Sequence, residues 1–233
     1  MEPHGFAIQY FLFREADDLI IDIPELSERL SVPAGQLYEL AFNTPDEKRY
    51  HSFEIPKSDG SARPIDKPVP SLMIIQRRLA RTLEQWSHPH YSAHGFVRER
   101  GIKTNAMKHL RKPWVLNLDL KDFFPSIVVG RVCGLLKGWK IPPEDESEEY
   151  ETLDTGCASL IANLCCFRQK GNHPRQGLPQ GAPSSPVLSN LFVKGIGLDR
   201  ELYAFASRIG VAYTRYADDI SFSPKKDADV KGY

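Results

Sequence analysis

Residues 211–224 read VAYTRYADDISFSP and contain the feature that decides the fold, a pair of adjacent aspartates between two β-favouring runs. Apolar and polar residues alternate on both sides of Ala217-Asp218-Asp219, which predicts two strands joined by a turn. An isolated Ala-Asp-Asp is more often an ordinary polar turn. Acids at a strand turn gain nothing from strand pairing, however, so a bound metal explains them better.

A third aspartate ends another predicted strand. Residues 114–120, WVLNLDL, alternate in the same way and finish at Asp119 and Leu120. If this strand pairs beside the hairpin, three carboxylates converge, and such oxygen ligands suit Mg²⁺. Two ions about 4 Å apart can activate a hydroxyl and stabilise the leaving oxygen of an in-line phosphoryl transfer. That chemistry is the chemistry of a nucleic-acid polymerase.

The rest of the chain predicts a mixed α/β scaffold. Residues 53–66 read as a hairpin around Ser58-Asp59-Gly60, with Lys57 and Arg63 near its tip. Residues 71–86 have apolar side chains at spacings of three and four, which predicts an amphipathic helix with arginines on its other face. Further helices are predicted over 27–40, over 153–167 and around Val187.

Length and composition favour one catalytic unit. The chain has 233 residues and a net charge of zero, but the charges are segregated: the charged residues of 98–112 are mostly basic, and those of 142–154 are all acidic. A basic run is more often a plain solvated face, and the acidic stretch reads as a solvated connection. No apolar run is long enough to cross a membrane, and the N-terminus resembles no signal or transit peptide, so we expect a cytoplasmic protein.

Four sequence blocks, in order, resemble the reverse transcriptase family. They are Ile55-Pro56-Lys57 with Arg63-Pro64-Ile65, residues 117–124 (NLDLKDFF), residues 177–186 (GLPQGAPSSP), and Tyr216-Ala217-Asp218-Asp219. The resemblance implies an α+β right-hand polymerase with fingers and a palm whose antiparallel sheet is backed by helices. It implies N-terminal helices and fingers over 1–113, the first part of the palm over 114–130, a helical insertion with the nucleotide-pocket loop over 131–182, and the second part of the palm over 183–233.

The resemblance also assigns roles to residues. Asp119 and Asp218, with the backbone carbonyl of Leu120, would ligate two Mg²⁺ ions, and Asp219 would be the third carboxylate. The remaining residues would contact the incoming deoxynucleoside triphosphate. Its phosphates would meet the side chains of Lys57 and Arg63 and the backbone amides of Asp122 and Phe123. The Phe124 ring would lie beneath the sugar and exclude a 2′-hydroxyl, and Gln180 would line the nucleotide pocket.

Two shorter motifs resemble the retron branch of that family. Asn105-Ala106-Met107-Lys108-His109 is similar to its N-A-x-x-H signature, and Ala93-His94-Gly95-Phe96 precedes it. The resemblance implies a structured noncoding RNA as template and primer, an RNA-linked DNA product, and a role in antiphage defence with an effector protein. The residues expected to contact RNA are Arg98, Lys103, Asn105, Lys108, His109 and Arg111.

Other interpretations stay open at this point. Taken alone, His109 could simply cap a helix, and the chain could be a group II intron, diversity-generating or abortive-infection relative. A non-catalytic RNA-binding module and a template-independent or RNA-making polymerase are further alternatives. The sequence stops soon after the second aspartate strand, without the family's thumb, so we expect either a truncated product or a clamp from a partner, and weak processivity or no activity from the fragment alone.

Overall fold

The computed structural model describes residues 19–56, 60–86, 88–142, 150–168 and 176–225. Among them, the strands are β1 (Leu19–Ile21), β2 (Tyr50–Pro56), β3 (Ala62–Pro68), β4 (Leu116–Asp119), β5 (Lys140–Ile141), β6 (Glu151–Leu153), β7 (Val211–Tyr216) and β8 (Asp219–Pro224). The α-helices are α1 (Ile23–Leu30), α2 (Ala34–Tyr38), α3 (Asp46–Arg49), α4 (Pro70–Gln85), α5 (Ile102–Met107), α6 (Phe123–Ser126), α7 (Val129–Lys137), α8 (Thr155–Cys165), α9 (Ser185–Gly195) and α10 (Leu198–Arg208); a π-helical turn (Glu39–Asn43) follows α2.

The predicted antiparallel sheet forms from β4, β8 and β7, in that order. β7 and β8 are the two arms of the hairpin, and β4 pairs along the free edge of β8. Alternate side chains of the hairpin, including Tyr213, Ile220 and Phe222, are buried in a small core with Ala206 of α10. The period-two pattern of the sequence therefore gives the hairpin one apolar face, which packs against α10, while Thr214, Ser221 and Ser223 on its other face are buried too.

The predicted fingers hairpin is β2 paired antiparallel with β3, in a register that matches Tyr50 with Pro68 and Pro56 with Ala62. Gly60, at the turn, has φ 81°, a left-handed conformation that glycine adopts at little cost. Residues 57–59 lie outside the described residues, so the predicted contact of Lys57 with the triphosphate stays a prediction.

A larger core joins the helices to the fingers hairpin. Leu72, Ile75, Leu79 and Leu83 of α4 are all at most 1% exposed, which confirms the amphipathic helix predicted over 71–86. They pack in one cluster with apolar side chains of α1, α2, α8 and α9. This helical layer is the scaffold to which the strands carrying the carboxylates are attached.

Two features differ from the sequence prediction. The stretch 142–154, read as a solvated connection, contributes Glu151–Leu153 as β6, which pairs parallel with β1 and antiparallel with β5. The helical segment predicted over 27–40, with its second half opening at Pro33 and Ala34, is two helices, and α2 does begin at Ala34. The difference is that α1 begins before residue 27, where the Asp22 side chain accepts a hydrogen bond from the Glu25 amide, and ends at Leu30, before Ser31 with φ 49°. Within the described ranges, no helix is long and apolar enough to cross a membrane.

Candidate active site

The strand register brings Asp119 and Asp219 directly opposite each other. In the β4–β8 pair, Leu118 faces Ile220 and Asp119 faces Asp219. Residues opposite each other in an antiparallel pair have Cβ atoms about 4.5–5.5 Å apart on the same face. Two of the predicted catalytic carboxylates, 100 positions apart in the sequence, therefore lie side by side at the end of the sheet.

Asp218 reaches the same place through the hairpin turn. Tyr216 pairs with Asp219, so Ala217 and Asp218 form a two-residue turn. The backbone amide of Leu120 donates to the Asp218 carbonyl oxygen at 3.0 Å, which extends the ladder past Asp119. All three aspartates and Leu120, the residues that sequence reasoning assigned to metal binding, line one cleft.

The three carboxylates repel one another. Partial burial, then the charges of Asp218 and Asp119, raise the pKa of the Asp219 carboxyl above its ordinary value. Like charges held together are stable only when a cation or a proton neutralises them. The arrangement thus favours a bound cation at neutral pH.

The donor set fits a magnesium ion whose coordination shell is completed by oxygen atoms of the substrate. Three carboxylates and a backbone carbonyl are hard oxygen donors, the type that Mg²⁺ prefers. Within the described part of the chain, no three His, Cys, Asp or Glu side chains lie close enough together to hold a metal ion by themselves. Mg²⁺ at phosphoryl-transfer sites is usually held by one or two carboxylates together with substrate phosphates and water, so an open set is what this chemistry needs.

The cleft has a volume of about 560 Å³. It is lined by Arg63, Pro64, Phe96, Asp119, Leu120, Lys121, Asp122, Phe123, Phe124, Pro125, Gln180, Tyr216, Ala217, Asp218 and Asp219. The structure therefore brings together the three aspartates and five of the six residues predicted at the nucleotide; the sixth, Lys57, lies outside the described residues.

Backbone contacts fix the nucleotide side of the cleft. The Asp66 amide on β3 donates to the Gln180 carbonyl at 2.7 Å, and the Leu178 amide donates to the Phe124 carbonyl at 3.1 Å. Gly177 has φ 73°, and a Cβ there would lie 2.4 Å from the Pro125 carbonyl oxygen. The loop carrying Gln180 is thus tied both to the fingers hairpin and to the segment after β4.

Asp122 and the two phenylalanines after it turn the chain away from β4. Asp122 has φ 52° and precedes α6, whose first-turn amides have no partner within so short a helix. Phe123 points into the main core and is 7% exposed. The Phe124 ring is only partly buried and lies in the cleft.

Phe96 is a cleft residue that sequence reasoning missed. Its ring centroid lies 6.1 Å from that of Phe124 and 6.5 Å from that of Tyr216. It is 44% exposed and has φ 58°, an unfavourable conformation for a bulky side chain. In the sequence, the block Ala93–Phe96 resembles the retron branch of the family but does not by itself place Phe96 at the site.

The residues predicted to contact RNA separate into two groups. The side chains of Arg98, Lys103, Lys108 and Arg111 are exposed, and Asn105 is partly buried on α5. Arg98 also lines a second cleft, of about 860 Å³, which adjoins the first at Phe96. Of these residues, Arg98 is therefore the one that the clefts place near the carboxylates.

His109 is placed differently from the other residues predicted to contact RNA, because its side chain is buried. The side chain is 8% exposed, and its ring nitrogens are each 2.7 Å from a hydroxyl, Nδ1 from Ser223 Oγ and Nε2 from Thr214 Oγ1. Burial, and then the charge of Lys112, lower the pKa of the imidazole. His109 therefore docks the segment after α5 onto β7 and β8, and both nitrogens are already used.

A buried arginine beside the aspartates was also missed. Arg215, the residue before Tyr216, is fully buried and forms an ion pair with Asp199 of α10 at 2.8 Å. The sequence shows an arginine in a strand next to the aspartates but gives no sign of its partner, since Asp199 belongs to another element.

The sequence matches a known protein family. The family described as Reverse transcriptase (RNA-dependent DNA polymerase) matches residues 55–232, about three quarters of the chain. The chain therefore belongs to the reverse transcriptase family.

Its relatives include retron enzymes. The chain is 39% identical to the retron Mx162 reverse transcriptase of Myxococcus xanthus over 211 residues, covering 88% of this chain and 42% of that protein. It is 37% identical to the retron Mx65 reverse transcriptase of the same organism over 203 residues, covering 85% of this chain and 46% of that protein. The chain thus spans somewhat less than half the length of these two relatives. A solved Candida albicans telomerase structure is similar over 76% of this chain and 38% of that chain, with 13% identity and a TM-score of 0.45.

Proposed function

We propose that the chain is the catalytic part of a retron-type RNA-directed DNA polymerase, which copies a structured noncoding RNA into RNA-linked single-stranded DNA. The observation that carries the proposal is the register that sets Asp119 opposite Asp219 with Asp218 in the adjoining turn. Kinship with the retron enzymes supports the retron type. The RNA template and primer, the branched product, and a role in antiphage defence with an effector protein rest on that kinship and are proposals with it.

In this proposal, two Mg²⁺ ions held by Asp119, Asp218, Asp219 and the Leu120 carbonyl would activate the attacking hydroxyl and stabilise the departing pyrophosphate. The protein's share of the work is positioning. The β4–β8 ladder sets the spacing of the carboxylates, and the hairpin turn presents Asp218 beside them.

The incoming deoxynucleotide would lie between the carboxylates and the fingers hairpin. The guanidinium of Arg63, exposed on β3 and lining the cleft, would meet the triphosphate, with Lys57 from the same hairpin and the backbone amides of Asp122 and Phe123. Fixed positive charge there counters the charge that builds up as pyrophosphate leaves. Gln180, whose loop is tied to β3, would line the nucleotide pocket.

Phe124 would select the sugar. Its ring is held in the cleft by the backbone bond between its carbonyl and Leu178 and by the neighbouring Phe123 ring, 5.4 Å away. A rigid ring beneath the ribose leaves no room for a 2′-hydroxyl, which favours deoxynucleotides. The exposed cations Arg98, Lys103, Lys108 and Arg111, with Asn105, would meet the RNA backbone.

Incorporation of a single deoxynucleotide opposite an RNA template tests the proposal. A one-step assay is chosen because it does not require the duplex to be held through many cycles. In the gene's full product, we expect Asp218→Asn to abolish incorporation while the wild type extends the primer. Asp22→Asn is the matched control, since it makes the same chemical change at the cap of α1, where asparagine caps as well as aspartate. Equal incorporation by wild type and Asp218→Asn would overturn the assignment.

A further inference from the structure

Arg215 is a fully buried cation next to the aspartate turn. Its side chain is 0% exposed, and burial of a guanidinium is unfavourable unless its donors are paired. Nε donates to Asp199 Oδ1 at 2.8 Å, and Nη2 donates to Asp199 Oδ2 at 2.9 Å and to Asn190 Oδ1 at 3.0 Å. The remaining nitrogen, Nη1, donates to the Ala217 carbonyl oxygen at 2.9 Å. Each nitrogen of the guanidinium is therefore hydrogen-bonded.

The last of these bonds acts on the turn itself. Ala217 has φ 56°, a left-handed conformation that a residue with a Cβ rarely adopts. The Ala217 carbonyl belongs to the peptide group that joins Ala217 to Asp218. By donating to that oxygen, Arg215 fixes the orientation of this peptide group and thereby the direction in which Asp218 leaves the turn.

The same guanidinium reaches a second segment through Asn190 of α9. Asn190 Nδ2 donates to the Gly95 carbonyl at 3.0 Å, while the backbone of Arg215 pairs with Ser92 and His94 at 2.8 and 2.7 Å. Gly95 touches the turn so closely that a Cβ on it would lie 2.3 Å from the Ala217 nitrogen. The turn is therefore clamped by Arg215 and by the segment 92–96, and Asn190 links the two.

The counter-ion of this clamp is held in its charged form. Burial by itself favours the neutral acid, but the hydrogen bonds and charge of Arg215, with the Tyr213 hydroxyl 2.6 Å away, outweigh burial and lower the pKa of Asp199 below its usual range. Asp199 is 2% exposed and lies in the first turn of α10. The ion pair thus connects the turn to α10, which packs on the apolar face of the sheet formed by β4, β8 and β7.

We propose that Arg215 is a positioning residue for the metal-binding aspartates: with Asp199 and Asn190 it holds the Ala217–Asp218 peptide group so that Asp218 stays aligned with Asp119. The inference rests on the proposed function of this site and deepens it. Arg215 differs in this from a buried arginine that only stabilises the fold, because loss of its guanidinium changes metal binding as well as stability.

The chain offers a matched control in Arg49. It too is 0% exposed, and its Nη2 lies 2.6 Å from Asp46 Oδ1, yet it bonds the carbonyls of Leu40, Asn163 and Cys166 in the helical core and does not line the cleft. Arg215→Lys and Arg49→Lys each replace a buried five-donor fork by a single ammonium. We expect both variants to lower the melting temperature.

Only Arg215→Lys should change the site. The measurements are Mn²⁺ binding, followed by the electron paramagnetic resonance signal of the free ion, and kcat and KM for one deoxynucleotide, in the gene's full product. We expect Arg215→Lys to weaken Mn²⁺ binding about 10-fold or more and to lower kcat about 100-fold, since a shift of about 1 Å in an active site has effects of that size. KM for the deoxynucleotide should change little, and Arg49→Lys should keep wild-type values for all three.

The inference is overturned if Arg215→Lys binds Mn²⁺ as the wild type does, or if Arg49→Lys loses as much Mn²⁺ affinity. If Arg215→Lys fails to fold, Asn190→Ala replaces it in the test, because this variant keeps the Arg215–Asp199 pair and removes the link to Gly95. We expect Asn190→Ala to lose less Mn²⁺ affinity than Arg215→Lys would. Unchanged Mn²⁺ affinity in Asn190→Ala would also overturn the inference. A wild type that binds Mn²⁺ but incorporates no deoxynucleotide would contradict the proposed function alone, because the Mn²⁺ comparison between variants would still decide the role of Arg215.

Discussion

Gly95→Ala adds a single methyl group beside the turn that carries Asp218, and it should disturb that turn. A Cβ on Gly95 would lie 2.3 Å from the Ala217 nitrogen and 2.9 Å from the Tyr216 carbonyl carbon, both backbone atoms. Backbone cannot move aside as a flexible side chain can. The added methyl group must therefore displace either the segment 92–96 or the turn that carries Asp218.

The size of the effect follows from the distance. Ordinary contact begins at 3.4 Å, so the two backbones must separate by about 1 Å. Overpacking of this kind costs about 1–3 kcal/mol, which for a chain of this length lowers the melting temperature by roughly 2–12 °C. A misplacement of about 1 Å at a catalytic group lowers the rate by about 100-fold.

The assay pairs thermal unfolding with single-nucleotide incorporation, and Gly134→Ala is the matched control. Gly134 lies exposed inside α7 with no atom within 4 Å of its added Cβ, so the same substitution should stabilise the helix by about 0.5–1 kcal/mol and leave incorporation unchanged. A Gly95→Ala protein with wild-type melting temperature and wild-type incorporation would refute the reasoning, since it would mean that the close approach to the turn is absent.

Three further predictions concern single side chains. Phe124→Ala should raise ribonucleotide incorporation relative to deoxynucleotide incorporation by about 10- to 100-fold, whereas Phe124→Tyr should not; an unchanged ratio would remove the steric role. Asp219→Asn should raise the melting temperature of the metal-free protein at pH 7, because it relieves the repulsion that raises the Asp219 pKa, yet lower incorporation by about 100-fold or more. Since burial lowers the pKa of His109 in the folded protein, its contribution to stability should be complete above about pH 6.5 and be lost as the pH falls below that value. Urea unfolding from pH 7.5 to 5 should therefore show that the free energy of unfolding falls less steeply with falling pH in His109→Gln than in the wild type. An identical pH dependence would contradict the buried role of His109.

Local patterns were sufficient for the parts of the fold with strong periodicity. The alternation around Asp218 and Asp219 predicted β7 and β8, and the spacing of Leu72, Ile75 and Leu79 predicted α4, because each of these elements has its large apolar side chains on one face. The convergence of the carboxylates needed one assumption more, the pairing of β4 with β8. The resemblance to reverse transcriptases supplied the reason to make it.

The missed features depend on partners far away in the chain. β6 is three residues long and pairs with β1 more than 100 positions earlier, so no local pattern marks it. The acidic residues before it favoured a solvated connection instead. The predicted RNA contact of His109 came from its place in a motif of the retron branch, which says nothing about burial. Its burial depends on hydroxyls of β7 and β8.

The same limit hid the Arg215 network. An arginine in a strand next to an aspartate pair suggests a surface charge, since buried arginines are rare. The oxygen atoms that accept its hydrogen bonds belong to α9, α10 and the turn itself, and no local sequence pattern predicts how these three elements pack together. The place of Phe96 in the cleft likewise depends on distant residues, because its proximity to Phe124 requires the segment 92–96 to dock against β7.

The most direct test of the metal site is a crystal structure of the gene's full product with RNA template, primer, incoming deoxynucleotide and Mn²⁺, in which anomalous scattering locates the ions. We expect two Mn²⁺ ions about 4 Å apart, each about 2 Å from a carboxylate oxygen of Asp119 or Asp218. Ions bound away from both aspartates, or an Asp119 carboxylate that stays beyond reach of the ions held by Asp218, would contradict the assignment of these residues to catalysis.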